Sequence, residues 1–412
     1  MNQRFAVVVL ALFVPLAGTF AGGPLYSRFG IGDLAYVGGS RSYALGGSSA
    51  GLYGDGFINQ LNPAGLAGIS MTRFSGTFEY TNYASTDGIT SGRYARGDFG
   101  GLSVAIPVAK DYGIVLLGEM SPYSAVHYAL NRNDSQAGIA SAQQYFGSGG
   151  IMRFDIGSSV SITNSLHAGF KANYLAGTIL QTTSITFLDN SYSNSALDRR
   201  FFYSGFMLTL GAVYEGIGDL VDAPSLKPLV VGAVVETPTA LSVRQENFDA
   251  TGSSYDTTLT RTGTTDVPLF VAVGASYTFA QRYVLSADLA LQDWSNAENF
   301  GTRPPEYRNR TRFGAGLEML PAKDASGVWG HVIYRLGFIY DATYLQVNGQ
   351  PINAMFGTAG VGLPIGPDSH LNVSLQLGVS GTTSDNLQKD TIVRLSVAVS
   401  GSELWFLRYE EE

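Results

Sequence analysis

Hydrophobic and polar residues alternate with a period of two along most of this chain. In residues 371–379 and 393–399, Leu or Val occupies every second position, and mainly polar or small residues lie between them. Residues 74–80 and 332–340 show the same period, with several Phe and Tyr on the apolar face. A period of two predicts β-strands. Because the apolar faces carry almost no charge and the polar faces are rich in Gly, Ser and Thr, the pattern favours strands between lipid and a polar interior.

The pattern predicts about 14 strands, and hence an all-β fold: a transmembrane antiparallel β-barrel. The strands are expected to begin near Ser70, Arg93, Gly113, Gly150, Leu166, Phe201, Lys227, Pro268, Tyr283, Asn309, Trp329, Ile352, His370 and Thr391. Short connectors such as 110–111 and 280–282 alternate with long ones, namely 131–144, 188–199, 247–265 and 296–308. Outer-membrane barrels have an even number of strands, short periplasmic turns and longer outer loops. The connector at 215–226 is an exception, because it is long where a periplasmic turn is expected.

The composition supports a lipid-facing surface and excludes several functions. Charged residues make up 14% of the chain, against about 25% in typical soluble domains. The net charge of -8 and the absence of a basic run argue against nucleic acid as a partner. The chain has no Cys and four His without metal-binding spacing, so neither a metal site nor another cofactor is expected.

Residues 1–21 are expected to be a secretory signal peptide. Arg4 supplies the positive charge, residues 5–16 form an apolar core, and small residues surround a cleavage point after Ala21. The core is too short to cross a bilayer, which takes about 20 residues. The signal predicts export.

Residues 22–69 do not follow the strand pattern and are rich in Gly, Ser and Ala. A barrel of about 14 strands leaves a wide interior, because its diameter grows with strand number. We therefore expect this segment to fold inside the lumen as a plug, ahead of a barrel formed by residues 70–407. Residues 408–412 are expected to form an acidic, solvated tail.

Residues 44–50 (Ala-Leu-Gly-Gly-Ser-Ser-Ala) and 59–66 (Asn-Gln-Leu-Asn-Pro-Ala-Gly-Leu) resemble the N-terminal hatch of the FadL-type transporters of long-chain fatty acids and hydrocarbons. The strands containing Asp288 and Arg335 are also similar to that family, and the resemblance covers essentially the whole exported chain. It implies an outer-membrane location and a hatch motif formed by Asn62, Pro63 and Ala64 that shifts when ligand binds. From the residues alone, the motif is a tight turn, since Pro63 fixes φ and Asn62 can bond the backbone two residues on.

Ser121 and Pro122 interrupt the third strand. Proline removes a ladder donor and is found at strand edges or bulges. The resemblance implies a lateral gap at this point, through which a hydrophobic ligand leaves the barrel. A tolerated bulge is the alternative, and Pro238 in the seventh strand shows that the wall contains other prolines.

Strand parity directs four cations towards the lumen: Arg153, Lys171, Arg312 and Arg335. Such a cation can hold a ligand carboxylate through charge-assisted hydrogen bonds. It can equally pair with acids of the interior, for which Glu79, Asp155, Asp288 and Asp341 are candidates. Both interpretations remain open at this point.

The leading functional hypothesis is passive uptake of hydrophobic molecules or lipids across the outer membrane by a monomer. A PorV-type barrel that binds secreted cargo proteins at the cell surface is the first alternative, and a general diffusion porin is the second. An enzyme is not expected. His127 and His167 lie near serines, but nothing resembles a Gly-x-Ser-x-Gly nucleophile turn.

Overall fold

The computed structural model describes residues 24–136, 139–189, 191–251, 254–322, 324, 326–366 and 368–403. The signal peptide expected at 1–21 and the acidic tail expected at 408–412 lie outside these ranges.

One antiparallel sheet contains all 17 strands of these described residues. The strands are β1 Asp33–Leu34, β2 Thr72–Thr86, β3 Ser91–Ala109, β4 Ile114–Gln136, β5 Ile139–Ser161, β6 Leu166–Phe187, β7 Ser195–Tyr214, β8 Leu229–Glu236, β9 Thr239–Thr251, β10 Ser254–Val267, β11 Phe270–Phe279, β12 Tyr283–Gln292, β13 Arg310–Met319, β14 Ile333–Val347, β15 Gln350–Gly366, β16 Ser369–Gly381 and β17 Lys389–Glu403. The short α-helices are α1 Ser40–Ala44, α2 Ile217–Leu220 and α3 Gly327–Gly330.

Strands β2 to β17 form a closed barrel, because β17 pairs with β2 along its whole length. The chain crosses the wall of the barrel 14 times, and we call each crossing a stave. Two staves are each broken into two strands by a proline. Pro238 separates β8 from β9, Pro268 separates β10 from β11, and the broken staves still pair with each other. The predicted fold class and strand number are confirmed. Pro268 was expected to begin a stave and instead lies within one.

The expected long connectors at 131–144 and 247–265 are largely strand, and the last five residues of 188–199 belong to β7. Strands β4 to β7 have 20 to 23 residues, whereas β12 and β13 have 10 each. These extensions are rich in Ser, Thr, Asn and Gln, so the hydrophobic alternation ends before the backbone ladder does. Trp329, expected at the start of a strand, lies in α3.

The outward face of the wall is a belt of exposed apolar side chains, including Phe154, Ile156, Phe206, Leu285 and Leu336. Such a belt above a polar interior is typical of outer-membrane barrels. None of the described helices has the length and apolar character needed to cross a bilayer. We use "lower end" for the side where β2 begins, which is the periplasmic side in this class of barrel, and "outer end" for the opposite side.

Residues 24–69, here called the lumen segment, lie against the inner face of the wall. The segment includes β1, α1 and a 3-10 helix at Pro63–Gly68. Its outer part contributes Ile31 to an apolar cluster with Ile151, Trp294 and Tyr344, all nearly inaccessible to solvent. The lumen segment and the inner wall therefore share one core.

Candidate functional site

Asp288 on β12 fixes the middle of the lumen segment. Its carboxylate accepts hydrogen bonds from the backbone N–H groups of Ser49 (2.6 Å) and Ala50 (2.7 Å) and from the hydroxyl of Ser48 (3.0 Å). Asp288 is 5% exposed. A buried carboxylate needs several such donors to offset its lost hydration. The cluster therefore ties residues 48–50 firmly to the wall.

Asn62 joins three parts of the structure. Its side-chain oxygen accepts from the N–H of Ala64 (3.1 Å), and its side-chain nitrogen donates to the carbonyl oxygens of Ala50 (2.7 Å) and Ala212 (3.0 Å). Pro63 then begins the 3-10 helix that Asn62 caps. The local turn expected from the Asn-Pro pair is present, and it is also attached to β7 of the wall.

Glycines on the inner face of the wall allow the lumen segment to approach closely. A Cβ at Gly232 would overlap the carbonyl oxygen of Ala50, one at Gly314 that of Gly46, and one at Gly169 the backbone of Pro63. The backbone of the lumen segment therefore lies so close to several strands of the wall that no side chain fits between them. Its displacement would break many contacts together.

Gly232→Ala is expected to destabilise the fit of the lumen segment. The new methyl group must displace Ala50 backbone, and overpacking of this kind costs about 1–3 kcal/mol. Limited proteolysis of the folded protein should then cleave the lumen segment faster than in the wild type. Gly357→Ala is the matched control, because its Cβ would meet nothing within 4 Å. Equal cleavage rates in both variants would contradict the close fit.

The four inward cations are all buried, as strand parity predicted. Arg153 lies 3.1 Å from Asp155 and 2.7 Å from Glu236. Lys171 lies 3.1 Å from Asp155 and donates to the carbonyl oxygen of Gln60 at 2.6 Å. These two cations are therefore neutralised by acids of the wall.

Arg335 and Arg312 differ in how far acids neutralise them. Arg335 lies 2.7 Å from Glu318, which also binds Arg41 of the lumen segment. Arg312 lies 3.8 Å from Asp341, whose carboxylate already accepts two hydrogen bonds from Arg310. The guanidinium of Arg312 stacks 3.4 Å from the ring centre of Tyr36. Of the four candidate ligand contacts, Arg312 has the weakest acid pairing.

The ladder between β3 and β4 ends part of the way up the wall. Its last pair towards the outer end is Leu102 with Met120, one residue before Ser121. Pro122 has no N–H to continue it. Both strands are also bulged at this height, by Gly100 in β3 and Tyr123 in β4. Among the described residues, no further pair joins β3 to β4 beyond this point.

Residues 26–35, here called the strap, lie along the free edge of β4. Asp33 and Leu34 pair with Ala125 and Ser124. The N–H of Ala35 donates to the carbonyl oxygen of Tyr123 at 2.9 Å. Two tyrosine hydroxyls hold the strap: Tyr344 of β14 donates to the carbonyl oxygen of Gly32 at 2.6 Å, and Tyr26 of the strap donates to that of Gln388 at 2.6 Å. The strap thus takes the place of a missing strand pair.

A cavity of about 460 Å³ lies behind this break in the wall. Its side towards the break is lined by Phe99, Pro122 and Ala125, and its interior by Tyr36 and Arg312 among others. Ligand pockets commonly measure about 300–1,000 Å³, so the cavity has the size of a small-molecule site. Its chemistry is mixed, since Arg96, Asp98, Arg310 and Asp341 also face it.

Sequence reasoning missed a hydrogen-bonded chain at the lower end. The Nδ1 atom of His167 lies 2.9 Å from the hydroxyl of Ser161, and its Nε2 lies 3.3 Å from Glu215. The imidazole also stacks on Tyr53 of the lumen segment, with ring centres 4.5 Å apart. Through this contact, the hydrogen-bonded residues Ser161, His167 and Glu215 help to hold Tyr53 in place. Ser161 and His167 are near each other in the sequence, but Tyr53 and Glu215 are distant from both, so no motif could have revealed the whole set.

Solved structures of similar shape share this fold. The Ralstonia pickettii toluene transporter TbuX is 16% identical, with a TM-score of 0.57 over 89% of this chain and 98% of that one. The P. putida toluene transporter TodX is 15% identical, with a TM-score of 0.60 over 90% of this chain and 100% of that one. A Pseudomonas aeruginosa FadL homologue is 11% identical, with a TM-score of 0.60 over 89% of this chain and 98% of that one. The first two of these structural relatives are described as toluene transporters.

The fold of this chain is therefore the FadL-type outer-membrane barrel, as its resemblance to that family implied. No curated protein sequence matches the chain significantly. The BamG family model matches residues 1–410, and the chain belongs to the BamG family.

Proposed function

We propose that the protein mediates passive uptake of hydrophobic compounds across the outer membrane, by way of the cavity behind the β3–β4 break. The observation that carries this proposal is the ladder that stops at Leu102 and Met120 directly in front of that cavity. When the strap moves away from β4, a break at this height would join the cavity to the apolar belt. A hydrophobic molecule could move between the two without crossing water.

The hatch and the lateral gap have different roles in the proposed route. Ligand from outside or from the outer leaflet occupies the cavity, and the break at Ser121 and Pro122 is the lateral passage. Asn62, Pro63 and Ala64 form the hatch element that must shift for passage towards the lower end. Among the structural relatives, TbuX and TodX are described as toluene transporters, which supports a hydrophobic ligand.

Arg312 is the proposed contact for a ligand carboxylate, should the ligand carry one. It faces the cavity and has only a distant acid partner. Arg153, Lys171 and Arg335 are less suited, because each would have to leave a close acid. A pure hydrocarbon would instead lie nearer Phe99 and Ala125.

Uptake by cells lacking the gene tests the proposal. Complementation with the intact gene should restore uptake of labelled toluene or a labelled fatty acid, and an empty vector should not. Arg312→Gln should lower fatty-acid uptake more than toluene uptake. Equal uptake by the deletion strain and the wild type would contradict the proposal.

Asn62→Ala is expected to loosen the hatch. The substitution removes the cap on Ala64 and both side-chain donors, and a lost cap alone costs about 0.5–2 kcal/mol. Protease should cleave the lumen segment faster, and the rate of ligand uptake should change. The barrel itself should remain folded, as shown by a difference in gel migration between heated and unheated samples. Asn296→Ala, in an exposed outer loop, is the control. An unchanged uptake rate would indicate that Asn62, Pro63 and Ala64 form only a turn and do not control passage.

Binding of secreted proteins at the cell surface is the second candidate, and the length of β4 to β7 favours it. The exposed apolar side chains of β6 and β7 end near Tyr174 and Phe206, whereas these strands pair out to Ile185 and Ser195. At about 3.3 Å per residue, the extra length forms a tall polar sheet outside the lipid. Stable co-purification of secreted proteins, without small molecules in the barrel, would favour this function. An open porin is disfavoured by the lumen segment.

A further inference from the structure

The cavity behind the β3–β4 break carries an uneven charge. Five carboxylates and four arginines face it, together with His127, so one acid is in excess when His127 is neutral. The carboxylates are those of Asp33, Glu79, Asp98, Asp341 and Asp390, and the arginines are Arg96, Arg310, Arg312 and Arg394. An excess of one sign of charge inside a cleft attracts a ligand of the opposite sign.

Asp33 of the strap is the acid that lacks a partner. Each of the other four has one: Arg96 for Asp98 at 2.8 Å, Arg310 for Asp341 at 2.7 Å, Arg394 for Glu79 at 3.8 Å, and Gln388 for Asp390 at 2.6 Å. Among the described residues, Asp33 makes neither a side-chain hydrogen bond nor an ion pair. The excess negative charge of the cavity therefore lies on Asp33.

The surroundings of Asp33 favour a cation beside it. Its backbone is held in place by pairing with Ala125 of β4. Burial raises the pKa of its carboxyl to about 7, although Arg96 and Arg394 oppose the rise from a distance and Asp390 adds to it. A positive charge placed next to such a carboxyl stabilises its ionised form. The nearby arginines each have an acid of their own, so a ligand is left to supply that charge.

The rest of the lining suits a hydrophobic molecule with one ammonium group. Tyr83 and Phe356 face the same cavity as Asp33, and the faces of aromatic rings attract ammonium groups. Ile339, Ile352 and Ile392 also line it and provide an apolar surface for the hydrocarbon part of a ligand.

We propose that this cavity selects hydrophobic ligands that carry an amino group, and that the carboxylate of Asp33 binds their ammonium. The proposal rests on the cavity of the proposed uptake route and adds a charge preference to it. Asp33 offers a full negative charge only above a pH of about 7, where it has lost its proton. An alkylamine stays protonated there, as Lys does with its ordinary pKa of about 10.4.

Calorimetric titration of the purified protein with 2-phenylethylamine and with 2-phenylethanol tests the proposal, because the two probes differ only in the polar group. At pH 8 the amine should bind at least about tenfold more tightly than the alcohol, since its bond to Asp33 is charge-assisted. Its affinity should fall about tenfold from pH 8 to pH 6, as Asp33 takes up a proton. The affinity of the alcohol should not follow pH.

Asp33→Asn should remove both the preference for the amine and its dependence on pH. His127→Gln is the matched control, because His127 also faces the cavity and histidine titrates in the same range. This variant should keep both properties. Heated and unheated samples of each variant should differ in gel migration, which shows that the barrel is folded.

Equal affinities for the two probes at pH 8, or a preference for the amine that survives in Asp33→Asn, would overturn the inference and leave the uptake function standing. Binding of neither probe would contradict the cavity of the uptake route as well. A preference for the amine that disappears in Asp33→Asn and persists in His127→Gln is the expected result.

Discussion

Uptake is expected to stop when the strap is covalently locked to β4. Asp33 and Ala125 are paired residues of β1 and β4, and such antiparallel partners lie about 4.5–5.5 Å apart between Cα atoms. That separation lies within the range of a disulfide, about 4.4–6.8 Å. Asp33→Cys with Ala125→Cys would therefore form the only disulfide in the chain.

The expected size of the effect follows from the stability that a disulfide adds to the strap in its pairing with β4. A disulfide contributes about 2–4 kcal/mol, and each 1.4 kcal/mol changes an equilibrium about tenfold. Uptake should fall at least tenfold under oxidising conditions and return with a reducing agent. Asp33→Ser with Ala125→Ser is the control and should transport in both conditions. Full uptake by the oxidised cysteine variant would show that the strap does not control the passage.

Asp288→Ala is expected to release the middle of the lumen segment. The substitution leaves the N–H groups of Ser49 and Ala50 without their acceptor. Each buried donor without a partner costs about 1–3 kcal/mol, so the free energy of unfolding of the lumen segment should fall by about 2–6 kcal/mol. Protease should cut near residues 44–60, while the barrel keeps its folded position on an unheated gel.

Asp288→Asn provides a graded comparison, because the amide retains one acceptor oxygen. Its effect should lie between those of the wild type and Asp288→Ala. Asp293→Asn, which changes an exposed acid five residues away, should behave as the wild type. Undiminished protease resistance in Asp288→Ala would show that other contacts alone fix the segment.

The sequence predicted the barrel well because two-residue periodicity is set by local physics. A residue facing lipid must be apolar, and its neighbour facing the lumen need not be. The same reasoning could not predict how far β4 to β7 extend towards the outer end, because both faces are polar there and the alternation disappears. Ladder continuation there depends on pairing between strands, which a single segment does not reveal.

The candidate site was predictable only in part. Parity placed Arg312 inside, and Pro122 marked a position where the ladder could stop. Which inward cation remains available to a ligand depends on acidic residues of other strands. Asp341 of β14, for example, pairs with Arg310 of β13. The strap was not foreseen, because a two-residue strand such as β1 carries no periodic signal. Contacts between distant residues, such as Lys171 with Gln60, are likewise invisible before the chain folds.

Mass spectrometry of the molecules that remain in the purified protein tests the central claim most directly. The account predicts bound hydrophobic compounds or lipids in near-equal amount to the wild-type protein, and their loss in Ala125→Trp, which fills the cavity behind the β3–β4 break. Leu285→Trp, on the lipid-facing belt, should retain them. A barrel that carries no such molecule but is recovered with secreted proteins would contradict the account.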